Sequence, residues 1–168
     1  MTGTKNVYRY ITTEGKRAGT GANALDYLRK NTGVFNGNGM ISAEEVEAMK
    51  TRARDGEKNL WHGFISLSEE ESHKIDTPEK CIALIKSTFN SFLKDAKFNP
   101  DNIDLMCALH LDRPNHLHIH FLFWEKAPKY KGKDNALHYR RRGKIEKEAI
   151  DAMFVRLGLA ISDRRDSL

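Results

Sequence analysis

The stretch HLDRPNHLHIHFLF, residues 110–123, restricts what this chain can fold into more than any other. It holds His110, His116, His118 and His120, four of the seven histidines. The flanks Ile103–Leu109 and Phe121–Trp124 are apolar and read as strands. Arg113-Pro114-Asn115 is turn chemistry, because proline presets φ and asparagine tolerates unusual backbone angles. The stretch is therefore a β-hairpin. Side chains alternate between the faces of a strand, so His116, His118 and His120 share one face and Leu117, Ile119 and Phe121 the other. A three-residue loop sets His110 opposite His118 and Asp112 opposite His116. That register predicts four imidazoles and one carboxylate on one side of two adjacent strands.

Directly opposed residues have Cβ atoms about 4.5–5.5 Å apart, close enough for imidazole nitrogens to share one ion. Ordinary solvated surface histidines are the bland reading, and four on one face backed by an apolar face exceed it. Three histidines with open positions describe a catalytic metal site. Imidazole donors by themselves favour zinc, copper, iron or nickel over magnesium.

At 168 residues the chain is one domain by size, spanning 1–168. Net charge is +5, which suggests an anionic partner, nucleic acid first. No apolar run is long enough to span a bilayer, and no secretory signal precedes the first strand, so a cytoplasmic protein without a membrane partner is expected. Cys81 and Cys107 sit in apolar patterns and read as buried free thiols in a reducing compartment.

Along the chain, Asn6–Thr13 reads as a strand, Glu14–Gly21 as a basic loop, Ala22–Lys30 as a helix carrying Tyr27, and Asn31–Met40 as a Gly/Asn-rich loop. Ser42–Glu45 is a capping box that opens a helix to about Arg54, poor in apolar residues and so peripheral. Asn59–Leu67 is a strand. Thr77 caps a helix with proline at its first position, running to about Phe98. After the hairpin come a basic, mobile loop, Lys126–Arg142, and a last helix from Lys144 to about Leu159. The order β-α-α-β-α-β-β-α predicts an α+β fold. Its antiparallel sheet would carry the helices mainly on one face and leave the histidine face open to a ligand.

HLDRPNHLHIHFLFWEK resembles the third motif of plasmid mobilisation relaxases, which belong to the HUH endonucleases. NLWHGFISLSEEE, the helix after Thr77 and RRRGKIEKEAID look like a MobL-type relaxase domain, so the resemblance covers most of the chain. It implies an HUH-type fold and strand-specific DNA nicking and joining at an origin of transfer. A tyrosine attacks a phosphodiester and leaves a 5′-phosphotyrosine and a free 3′-hydroxyl. It also implies Mg²⁺ or Mn²⁺ in use, with zinc or nickel as tighter substitutes. Carried onto this sequence, the metal ligands are His110, His118 and His120, with His116 as a substitute. Asp112 orients an imidazole or the tyrosine hydroxyl. Tyr27 matches the N-terminal nucleophile, and Tyr139 is its rival, as in replication initiators.

Single-stranded or hairpin DNA is the expected partner, with relaxosome accessory proteins, and the chain is expected to be a monomer. Lys16, Arg17, Arg29 and Lys30 surround Tyr27; Lys129, Lys131, Arg140, Arg141 and Arg142 follow the histidine strand. These would hold phosphates, while Tyr130, His138 and Tyr139 could stack bases. Two other classes compete: a three-histidine zinc hydrolase of a small molecule, and a nucleic-acid-binding protein with vestigial histidines. His62 and His73 lie outside the motif and read as structural.

Overall fold

Two long apolar strands, β5 (Ile103–His110) and β6 (His118–Glu125), form the centre of the sheet. The computed structural model describes residues 33–55, 57–110 and 115–163, together with the strand pairing of Lys16–Arg17. The expected first strand, the Tyr27 helix with Arg29 and Lys30, and the turn containing Asp112 lie outside the described residues. β5 and β6 pair antiparallel from Ile103↔Glu125 to His110↔His118. This is the register that the three-residue loop predicts.

The remaining strands are β1 (Lys16–Arg17), β2 (Phe35–Asn36), β3 (Gly39–Met40) and β4 (Asn59–Ser66). The sheet order is β1-β4-β6-β5-β2-β3, and all recorded pairings are antiparallel. The chain is thus α+β, as expected.

Two expected loops are corrected by this sheet. Lys16–Arg17 is a strand paired with Leu60 and Asn59. The Gly/Asn run 31–40 contains the β2–β3 hairpin, and Phe35 in it is fully buried opposite Cys107. β3 opens on Gly39 at φ +132°, a backbone conformation open to glycine and strained for other residues. Strands two residues long have no periodicity to read, so the glycines and asparagines masked them.

The described helices are α1 (Ala43–Arg54), α2 (Glu69–Lys74), α3 (Pro78–Asp95) and α4 (Lys147–Ser162). α3 follows from its sequence. Thr77 accepts from Lys80 N–H, Pro78 sits where no amide is needed, and Cys81, Leu84, Ile85, Phe89, Phe92 and Leu93 form one stripe. It stops three residues before the expected end, because Lys97 takes φ +69° and Phe98 N–H donates back to Leu93 O. α3 and α4 bury one face of the sheet, with Trp61, Ile65, Cys107, Leu109, Phe121 and Phe123 facing them. The two cysteines are free and buried there.

The other face is not wholly open, which corrects the expectation. Val46, Met49 and Ala53 of α1 pack on Leu60, Met106, Ala108, Leu122 and Trp124. α1 therefore covers the part of this face around Met106, Ala108 and Leu122. Its anchor is Asp104, 4% exposed, which accepts from Arg52 Nε and Nη2 at 2.9 and 3.0 Å and from Trp124 Nε1 at 3.0 Å. That carboxylate holds the Arg52 guanidinium above its ordinary value. α1 looked peripheral because its apolar content is small; a part-buried bidentate ion pair compensates. With both faces covered, β5 and β6 read as near-continuous apolar runs.

Candidate functional site: an imidazole patch on the central strands

Beyond the end of α1 the same face carries the histidines. His110 and His118 are register partners; His120 lies opposite Ala108 and beside Phe64. The His110 and His120 rings stack, with centroids 3.8 Å apart and planes within 18°. His118 is 6.4 Å from His120, and Phe64 packs on both, 5.4 and 5.0 Å away. His110 is buried at 5% exposure, while His118 and His120 are partly open.

The short helix α2 sets the entry to this strand. A reciprocal Ser68–Glu71 capping box opens α2 and places Ser72 inward. Leu117 N–H donates to Ser72 Oγ at 3.0 Å, and Leu67 N–H donates to Leu117 O at 2.9 Å. The residue just before His118 is thereby fixed on both its amide and its carbonyl. Nothing in the histidine motif itself signals this contribution from α2.

The structure brings in one histidine that the sequence reading left structural. The His62 ring lies 6.0 Å from His120, at 28° to it. The signal was present in NLWHGFISL: Leu60, His62, Phe64 and Ser66 alternate with the core residues Trp61 and Ile65. His116 is exposed and precedes the first residue of β6, and His73 is exposed on α2. The substitute ligand is therefore not part of the strand-borne patch.

Residue type and backbone placement suit a divalent ion; ring orientation does not yet. An imidazole nitrogen binds an ion along a lone pair in its ring plane, whereas the His110 and His120 rings stack face to face at 3.8 Å and the His118 ring centroid stands 6.4 Å from that of His120. Among the described residues, no three His, Cys, Asp or Glu side chains stand in a metal-holding group. Reorientation of the three rings is what would turn the patch into a ligand cluster.

The basic segment is not the expected loop. It forms a hairpin of β7 (Tyr130–Lys131) and β8 (Leu137–His138), then a strap pinned to the sheet. Trp61 Nε1 donates to Gly143 O at 2.7 Å, and Asn59 Nδ2 donates to Arg140 O and Arg141 O at 3.1 Å. Arg140 belongs to this scaffold. Its Nη1 donates to Ala96 O at 2.7 Å and its guanidinium sits 4.3 Å over Phe98. Polar side chains at the far ends of other strands hold these residues, so their own run of sequence gave only basicity.

This places Tyr139 and the Lys129–Arg142 cations away from the patch. The Tyr139 ring lies 4.6 Å from Lys58 Nζ, which donates to Glu125 O at the far end of β6. Glu125 lies five positions along β6 from His120, roughly 17 Å at about 3.3 Å per strand residue. The rival tyrosine is therefore not brought to the imidazoles. Tyr27, Asp112, Arg29 and Lys30 lie outside the described residues, and of Lys16 and Arg17 only the backbone pairing is described.

Comparison with protein-family models, with curated proteins and with solved structures finds no match. Among the described residues, no helix is long and apolar enough to cross a membrane.

Proposed function

We propose that the chain is a relaxase of the HUH type, nicking and rejoining one DNA strand at an origin of transfer. The observation that carries the reading is the grouping of His110, His118 and His120 on one face of the two central antiparallel strands. The net charge of +5 suits a polyanion.

In this reading His110, His118 and His120 would hold Mn²⁺ or Mg²⁺, and the ion would supply positive charge beside the phosphate. Tyr27 brings its hydroxyl oxygen to phosphorus. The Tyr27 Oη–P bond forms as the P–O3′ bond breaks, and the phenolic proton ends on the departing 3′ oxygen. Asp112, two residues after His110, orients the hydroxyl or an imidazole. His62 and Phe64 wall the patch and limit how far the His120 ring can turn.

The test is incubation of the whole protein with single-stranded origin DNA and Mn²⁺. A covalent adduct is expected, mapping to the Tyr27 peptide after proteolysis and lost in Tyr27→Phe. His118→Ala should abolish both metal binding, read by calorimetry, and the adduct. Cleavage without an adduct would indicate a metal-activated water and replace this reading with a hydrolase. An intact strand would overturn it altogether.

A further inference from the structure

At the far end of the sheet, the β7–β8 hairpin and the strap border an open cavity of about 610 Å³. Its walls combine three rings, Tyr130, His138 and Tyr139, with the cations Lys131, Lys133 and Arg141. We propose that this cavity binds an unpaired nucleotide of the DNA strand, its base stacked on the rings and its flanking phosphates held by the three cations. The identification of the nucleic acid as DNA rests on the relaxase reading; the site itself does not.

Three observations support the proposal. The first is composition: flat rings among cations match the two chemistries of a single strand, the face of a base and the phosphate beside it. An acidic peptide would use the cations alone.

The second is rigidity. Tyr130 and His138 are register partners, so their side chains emerge side by side. His138 Nε2 lies 2.9 Å from both Asp134 oxygens, the Tyr130 hydroxyl bonds to Glu125, and Lys58 fixes Tyr139. Rings already held lose little freedom on binding. The turn that makes this possible depends on Gly132, where a Cβ would stand 2.7 Å from both Asp134 and His138.

The third is charge. Lys131, Lys133 and Arg141 are exposed, and the cavity's carboxylate, Asp134, is engaged by His138. Arg142 is already paired with Glu146 at 3.0 Å, and Arg140 is committed to the scaffold. Glu125, which holds the Tyr130 hydroxyl and the Arg140 N–H, lies roughly 17 Å along β6 from His120. A strand bound at both points would be gripped away from the bond being cut.

The experiment measures binding of a fluorescein-labelled single-stranded oligonucleotide to the full chain by anisotropy, with chelator present to prevent cleavage. An abasic strand of the same length is the control. Wild type should bind the normal strand roughly tenfold more tightly than the abasic one. Tyr130→Ala should erase that difference, and Tyr130→Phe, which keeps the ring, should preserve it. The pair Lys131→Ala and Arg141→Ala should lower the slope of log K against log salt by about 1.4. Equal binding of both strands by wild type would overturn the proposal, as would indifference to Tyr130→Ala. Binding that depends on Tyr130 in a protein that never nicks would sink the relaxase reading and leave this site standing. Nicking with binding indifferent to Tyr130 would do the reverse.

Discussion

His110 and His120 stack at 3.8 Å although they are not register partners; the residue opposite His120 is Ala108. Alanine leaves the space over β5 into which the His120 ring leans. Phe64 on β4 packs against His120 at 5.0 Å and 14°. Phe64, His120 and His110 thus form one stack across three strands, and its geometry depends on a methyl group between two of them.

Ala108→Leu should break that stack. Ala108 is fully buried, so three added carbons must displace His120 or α1, costing about 1–3 kcal/mol. Denaturant unfolding should show the loss, and the imidazole proton resonances of His110 and His120 should move as their mutual ring shielding disappears. Unchanged stability together with unchanged resonances would mean that Ala108 does not shape the patch.

Ser72→Ala should loosen the strand that carries His118. The substitution removes the acceptor for the buried Leu117 N–H and leaves a donor without its bond, a loss of about 1–3 kcal/mol. Amide exchange at Leu117 should accelerate more than exchange in α3. A uniform change across both would show that Ser72 contributes only to global stability.

Glu125 predicts a pH dependence. The carboxyl is 3% exposed, and burial pushes its pKa up against the opposing bonds from Arg140 N–H and Tyr130. A raised folded-state pKa means that the fold prefers the protonated form. The associated stability is complete below the ordinary glutamate range and declines as pH rises through the raised value. Glu125→Gln is neutral throughout. Its stability relative to wild type should therefore increase with pH across that window and level off above it. A relative stability that falls with pH would show that the bonds to Arg140 and Tyr130 outweigh burial.

The sequence by itself determined the hairpin, its register and the sidedness of the histidines. Period-two alternation and a proline turn act within a few residues, so His110↔His118 follows from neighbours in the chain. It also determined α3, where the Thr77 cap, Pro78 and an apolar stripe agree. Tertiary structure alone decided which other residues meet the patch. His62 and Phe64 reach it because β4 pairs with β6, and Ser72 because α2 folds under Leu117. It also decided that α1 lies on the histidine face, through the long-range Arg52–Asp104 pair. The basic segment became a pinned strap because Trp61, Asn59 and Glu125 hold it from distant strands. Local periodicity carries information over a few residues, whereas these contacts join positions that lie far apart until the sheet forms.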